Sequence, residues 1–184
     1  MGFKQAAILV PVSFFLGVLF ICFNIDHVLL WGTITDEVVA DGFQFYTTFY
    51  NAPPAIKALL HGMWGVGLIG FLSKLFSWSE SAVFFDGSSL AVYVFSIVVY
   101  LTVTVQSLRT IVDPLPGVDT RDDQIMALKV LSAGNTIIIG CLGLILALQA
   151  GQVWASRAEA KALAKMIAEE QAAKLAVPTE KKEQ

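Results

Sequence analysis

Few side chains in the apolar segments of this chain could do chemistry. His61 and Asn135 are the clearest candidates, because each lies inside a long segment that has no charged residue. Such a histidine could relay protons or bind a metal ion, and the two side chains could line the path of a transported solute. Because no second histidine or carboxylate accompanies His61 in its segment, we interpret both as structural groups that form hydrogen bonds between helices.

The chain carries none of the motifs that mark common catalytic or cofactor sites. It has no HExxH motif, no Gly-x-Ser-x-Gly, no phosphate-binding glycine loop and no CxxC pair. Its two cysteines, Cys22 and Cys141, both fall in apolar segments, where we expect them to fill space. The net charge of −3 offers no basic field for nucleic acid. The sequence therefore predicts no enzyme, no cofactor, no bound metal ion and no nucleic-acid partner.

The distribution of charge identifies the elements that must position these residues. Only 15% of the 184 residues are charged and 56% are hydrophobic, whereas soluble domains carry about 25% charged residues. Charged residues are missing from four segments of 21, 16, 22 and 27 residues, namely 5–25, 58–73, 87–108 and 130–156. A helix crosses a bilayer with about 20 apolar residues, and the short second segment lengthens if Lys57 and Lys74 snorkel.

The sequence thus predicts an all-α membrane protein with four transmembrane helices. The helices are expected at about 5–25, 56–76, 87–108 and 129–156, which together make a membrane domain over residues 1–156. Apart from lysines at the ends of the second and fourth spans, no charge is expected inside them, and that absence argues against an ion pump or a proton-coupled transporter.

Local patterns predict how the helices are connected. Asp86 to Ser88 is expected to form the turn into the third span. Thr120 followed by Asp123 is typical of a capping box, so the fourth helix should begin near Thr120. The aromatic-rich loop 26–56 is interpreted as a short helix or turn that covers one end of the bundle at the membrane interface. A ligand-binding surface is the alternative interpretation of that loop.

Both termini are predicted to lie in the cytosol. Four spans place both termini on one side, which carries six lysines and arginines near the helix ends, against four on the other side. Residues 157–184 are charged and rich in alanine. We expect them to form a cytosolic tail that is helical to about residue 176 and disordered beyond it.

Small residues recur within the second and fourth spans. Gly62 and Gly65 lie in the second, and Gly143, Ala147 and Gly151 follow each other at a spacing of four in the fourth. Small residues let helices approach closely in lipid. They either pack within the four-helix bundle or form a docking face for another protein's helix, and the sequence leaves both interpretations open.

Seven segments, taken in order, resemble a known family. They are SFFLGVLF at 13–20, APPAI at 52–56, GVGLIGFLSKL at 65–75, FDGSSL at 85–90, VY to LR at 99–109, SAGNTI at 132–137 and LQAGQ at 148–152. By their order and spacing, the chain resembles the fungal endoplasmic-reticulum packaging chaperones for amino-acid permeases. The resemblance covers roughly residues 13–156.

The resemblance implies a multi-pass protein of the endoplasmic-reticulum membrane. Such a protein would keep newly inserted amino-acid permeases foldable and help to load them into coated vesicles. Its partners would be multi-span permeases as transient clients, vesicle-coat components at the tail, and membrane lipids. The small residues of the second and fourth spans would then face the client, and Lys181 and Lys182 look like a dilysine retrieval signal. A small transporter or channel, and a constitutive subunit of a larger membrane complex, are the alternatives.

Overall fold

The protein is built from α-helices. The computed structural model describes residues 2–75 and 80–176, and the side chains of residues 2–75 and 83–172. The helices are α1 (Phe3–Trp31), α2 (Asp36–Tyr50), α3 (Pro54–Leu75), α4 (Glu80–Val99), α5 (Val105–Val112) and α6 (Arg121–Ala176). A π-helical turn, Tyr100–Thr104, joins α4 to α5.

Four helical rods are long and apolar enough to cross a membrane. They are α1, α3, the continuous rod Val83–Val112, and the first and larger part of α6. The prediction of an all-α membrane protein with four candidate spans and a long C-terminal helix is therefore confirmed.

The four rods pack in a ring. α1 packs against α3 and α6, and α4 also packs against α3 and α6. The order around the bundle is therefore α1, α3, α4 and α6. α2 packs against α1, α5 and α6 at one end, which we call the α2 end. The opposite end, from which α6 continues to Ala176, is the tail end.

Close packing of α3 depends on two glycines. A Cβ at Gly70 would lie 2.9 Å from the carbonyl oxygen of Ala7 in α1, and a Cβ at Gly67 would collide with the ring of Tyr93 in α4. Tyr93 is fully buried, and its hydroxyl donates to the carbonyl oxygen of Trp64 at 3.2 Å. The apolar core of the bundle surrounds these contacts. Its buried members are Ile8, Val12, Phe15, Leu19, Trp64, Phe71, Tyr93, Val99, Ile138, Leu142 and Ile145.

Capping side chains determine where α2 and α6 begin. The Val38 N–H donates to Oγ1 of Thr35 at 3.3 Å at the start of α2. At the start of α6, the Asp123 N–H donates to Thr120 Oγ1 at 3.2 Å, and the Thr120 N–H donates to Asp123 Oδ2 at 2.9 Å. These reciprocal bonds form a capping box. They confirm that the fourth long helix begins next to Thr120.

The predicted turn at Asp86 to Ser88 is wrong. These residues lie inside α4, which begins at Glu80. The structure accommodates a carboxylate there because neighbouring helices supply partners for it, as described below. At the other end of the chain, α6 runs without a break for 56 residues, about 84 Å at 1.5 Å per residue. Its side chains from Arg157 to Ala172 are all exposed.

Candidate functional site

A buried carboxylate joins three helices near the α2 end. Asp26 of α1 is 0% exposed. It accepts hydrogen bonds from the Tyr46 hydroxyl of α2 and from Asn135 Nδ2 of α6, the second at 3.0 Å. Asn135 Nδ2 also donates to the Tyr46 oxygen at 3.1 Å. Burial, together with the negative charge of Asp26, raises the pKa of Tyr46 above its ordinary value, so the phenol keeps the proton that it donates. We call these three residues the Asp26 cluster.

A second buried carboxylate lies near the tail end and forms an ion pair. Asp86 of α4 is 1% exposed, and its Oδ1 lies 2.7 Å from Nζ of Lys74 in α3. Gln149 Nε2 and Gln152 Nε2 of α6 donate to the same carboxylate at 3.1 and 2.7 Å. Gln149 also donates to Ser89 Oγ at 3.1 Å. These five residues, the Asp86 cluster, link α3, α4 and α6.

The two glutamines complete the coordination of the lysine. Lys74 Nζ donates to Gln149 Oε1 at 2.7 Å and also to Gln152 Oε1. With the bond to Asp86, the three N–H groups of the ammonium each have an acceptor. The ammonium and the carboxylate therefore have all their hydrogen-bond partners within the cluster, and these bonds fix the orientation of the Gln149 and Gln152 amide groups.

The spans predicted from the sequence hold no carboxylate, whereas two of the longer helical rods that could cross a membrane do. Asp26 lies within α1, and Asp86 lies within the rod Val83–Val112. Asp26 directly follows the charge-free segment 5–25, and Asp86 directly precedes the segment 87–108. From the sequence alone, both carboxylates are therefore expected at the membrane boundary. One signal was available for the second cluster. Gln149 and Gln152 are three residues apart and therefore share a helix face, as polar partners of a buried charge should.

The two polar residues singled out from the sequence lie in different surroundings. Asn135 is 2% exposed and belongs to the Asp26 cluster. His61 is exposed on α3, with Nδ1 at 2.7 Å from the carbonyl oxygen of Lys57 and its ring edge-on to Tyr100 at 5.9 Å. In the part of the chain that the structure describes, no three His, Cys, Asp or Glu side chains come together as metal ligands would.

The small residues on α3 and α6 are mostly unobstructed. A Cβ at Gly62, Gly65 or Gly143 would meet no atom within 4 Å, and Ala147 is exposed. Gly151 differs, because a Cβ there would lie 3.1 Å from the Phe85 ring of α4. α3 and α6 lie across the bundle from each other. The candidate positions therefore form two separate patches.

An apolar cavity of about 220 Å³ lies inside the α2-end half of the bundle. Its walls come from α1, α2, α3, α5, α6 and the π-helical turn. Phe15, Trp64 and Tyr100 contribute aromatic surface, and Asn135 and Tyr46 contribute two members of the Asp26 cluster. We call this space the α3–α5 cavity, because it lies where α3 separates from the rod that contains α5. No signal in the sequence indicated it.

The fold and its buried clusters define a four-span helical membrane protein with polar bonds between its helices. The chain matches the model of the SHR3 chaperone family, described as ER membrane protein SH3, over residues 1–184. It therefore belongs to this family of chaperones of the endoplasmic-reticulum membrane, as the resemblance in the sequence predicted. No curated protein and no solved structure matches the chain.

Proposed function

We propose that this chain assists the folding of newly inserted amino-acid permeases and their packaging into vesicles that leave the endoplasmic reticulum. The observation that carries the proposal is the family match, which extends over residues 1–184. The role that we propose is non-enzymatic. A permease has many spans, and its polar groups and small-residue faces remain unpaired until the later helices arrive. A small helical bundle could cover such faces during that interval.

The client-facing surface that we propose consists of the two small-residue patches. Gly62 and Gly65 form the patch on α3. Gly143, Ala147 and Gly151 form the patch on α6. Open space at the first four positions supports this assignment, since a client helix could approach the backbone there. Cross-linkers placed in these patches should capture permeases. The assignment is wrong if loop positions capture permeases and the patches do not.

The tail is proposed to act at the vesicle coat. In this proposal residues 1–156 form the membrane domain, and both termini, with tail 157–184, lie in the cytosol. The exposed and highly charged stretch from Arg157 to Ala172 supports a tail in water. Lys181 and Lys182, which lie outside the described residues, would act as a retrieval signal read by a coat component. Replacing both with serine should move the protein beyond the endoplasmic reticulum, whereas replacing Lys161 and Lys165 should not.

Deletion of the protein tests the central proposal. Amino-acid permeases should then accumulate and aggregate in the endoplasmic reticulum, while other multi-span proteins reach their destinations. Re-expression of the chain should restore export of the permeases. If all multi-span proteins are retained, the protein serves a general step, and if none is retained, the proposed function is wrong.

A transporter or channel is a second candidate, because buried acidic residues inside spans commonly mark ion or proton paths. Asp26 and Asp86 are such residues. Both carboxylates, however, already accept at least two hydrogen bonds from neighbouring helices, as structural groups do. Purified protein in liposomes should show no proton or solute flux if the chaperone proposal is correct.

A further inference from the structure

A second cavity, of about 400 Å³, opens at the tail end of the bundle, between α1, α3 and α6. We call it the tail-end cavity. Its polar lining consists of Gln5, Lys74, Gln152, Ser156 and Arg157. Two of these side chains are cationic, and none of the described residues that line the cavity is acidic. The volume falls within the range of about 300–1,000 Å³ that is typical of small-molecule sites, and the lining favours a ligand that carries an anionic group.

The two cations of the lining differ in how their charges are compensated. The three N–H groups of the Lys74 ammonium are already bonded within the Asp86 cluster. Arg157 is exposed, and neither ion pair among the described residues includes it. The side chains of Gln5 and Ser156 form no hydrogen bond with a described residue. Arg157 therefore supplies a net positive charge with paired N–H donors, and Gln5 and Ser156 supply neutral donors.

The tail-end cavity lies at the level where the apolar segments end. On each of the three helices a residue of the lining marks the end of a charge-free segment: Gln5 begins 5–25, Lys74 follows 58–73, and Arg157 follows 130–156. Trp154 is 76% exposed at the same level of α6, as tryptophans at a membrane interface are. Lipid headgroups lie directly outside the hydrocarbon core, so the cavity lies where lipid phosphates are found.

We propose that the tail-end cavity binds the phosphate of an anionic phospholipid headgroup. Arg157 pairs with the phosphate oxygens, because its planar guanidinium matches phosphate geometry with two parallel N–H groups. Ser156 and Gln5 donate further hydrogen bonds to the headgroup. This site would bind lipid with or without a client, so it goes beyond the proposed function and does not depend on it.

The lining selects an anionic headgroup over a zwitterionic one. Choline and ethanolamine headgroups carry a cationic nitrogen beside the phosphate, and none of the described residues of the lining is a carboxylate that could pair with it. The carboxylate of Asp86 is 1% exposed and is already paired with Lys74. A cationic nitrogen in the cavity would therefore face the like charge of Arg157. A headgroup without such a nitrogen avoids this repulsion.

Lipid binding to the full-length protein tests the site. The purified protein in neutral detergent micelles is titrated with short-chain phosphatidylinositol, with short-chain phosphatidylcholine and with glycerophosphoinositol, which has the anionic headgroup without acyl chains. Native mass spectrometry counts the molecules bound to each chain. One phosphatidylinositol should bind at least about fivefold more tightly than phosphatidylcholine, the factor that one basic residue gains at an anionic lipid surface. Glycerophosphoinositol should bind more weakly than phosphatidylinositol, because it has no acyl chains to hold it at the membrane boundary.

Arg157→Gln removes the uncompensated charge from the cavity. It should weaken the binding of phosphatidylinositol about tenfold, the lower end of the range for hydrogen bonds to charged groups, because Arg157 is exposed. Lys165→Gln is the matched control. It removes the same charge from α6, but eight residues or about 12 Å further along the helix. That distance exceeds the Debye length of about 8 Å at physiological ionic strength, so binding should change less than about twofold.

Ala160→Leu tests the cavity without changing a charge. Ala160 lines the cavity, so a leucine there would occupy space that the headgroup needs and should also weaken binding. Ala158→Leu is the control, because Ala158 is exposed on the same helix outside the lining. Neither leucine should lower the free energy of unfolding, since both alanines are exposed.

Four results would overturn the proposed lipid site. Equal binding of phosphatidylinositol and phosphatidylcholine would show that the lining does not select an anionic headgroup. Equal losses in Arg157→Gln and Lys165→Gln would show a diffuse attraction to the charged tail. Unchanged binding in Ala160→Leu would show that the lipid binds outside the cavity. If glycerophosphoinositol binds as tightly as phosphatidylinositol, the cavity is a site for soluble phosphate compounds and not for lipid.

Discussion

Replacing Asp86 with asparagine should destabilise the bundle more than its small change in shape suggests. In the wild type, the carboxylate accepts from Lys74, Gln149 and Gln152. An asparagine keeps one acceptor oxygen and presents an NH₂ group in place of the other. That group faces either the Gln152 amide N–H or the Lys74 ammonium. Rotating Gln152 would remove an acceptor from Lys74, so no arrangement satisfies every partner.

The expected cost is about 3 kcal/mol of unfolding free energy. Removing one member of a buried ion pair typically costs about 3–5 kcal/mol, because the other charge stays buried without compensation. The lower limit applies, since the Lys74 side chain is 16% exposed and can recover part of its hydration. Ser89→Ala is the matched control. It removes one neutral hydrogen bond from the same cluster and should cost about 1 kcal/mol.

A double-mutant cycle of Asp86→Asn with Lys74→Met measures the interaction itself. Reversible unfolding in mixed micelles, followed by circular dichroism, gives the four free energies. We expect a coupling above about 1 kcal/mol, within the range for residues in one network. If the double variant loses the sum of the two single losses to within about 0.5 kcal/mol, the ion pair does not stabilise the fold and the reasoning is refuted.

Three further predictions concern the unfolding free energy and use the same measurement. Tyr46→Phe removes a hydrogen bond to the buried Asp26 carboxylate and should cost about 1.5–3 kcal/mol; an unchanged value would mean that the contact is dispensable. Gly70→Ala should cost about 1–3 kcal/mol, because its Cβ would meet backbone of α1, whereas Gly62→Ala, in open space, should cost nothing. Equal effects of the two alanines would contradict the packing described for α3. Thr120→Ala removes the cap of α6 and should cost about 1 kcal/mol, and no loss would show that the cap is not needed.

The spans could be predicted because lipid excludes unpaired charge over whole segments. The four charge-free segments therefore located all four rods, and Thr120 with Asp123 located the start of α6. Both patterns are local. A local pattern reports the environment of neighbouring residues in the chain, and so it predicts helices and caps well.

The buried clusters could not be predicted because their partners are remote in sequence. Asp26 bonds to Tyr46, 20 residues away, and to Asn135, 109 residues away. A carboxylate at the end of an apolar segment looks like a boundary until those donors are known. The α3–α5 cavity is harder still to predict, because it lies between α3 and α5, which do not pack against each other. A missing contact between two helices leaves no pattern in the sequence of either one.

The two clusters leave one part of the bundle less constrained than the rest. The Asp26 cluster fixes α1 and α2 to α6, and the Asp86 cluster fixes the tail end of α3 to α4 and α6. Tyr93 adds a bond from α4 to the middle of α3, at Trp64. From Pro54 to Gly62, however, no described side chain forms a hydrogen bond between α3 and another helix.

That half of α3 contacts α2 through Lys57 against the Tyr50 ring, and the π-helical turn through His61 against the Tyr100 ring. An outward movement of this half would therefore break neither the Asp26 cluster nor the Asp86 cluster. Segments with few polar ties open at lower free energy than the core.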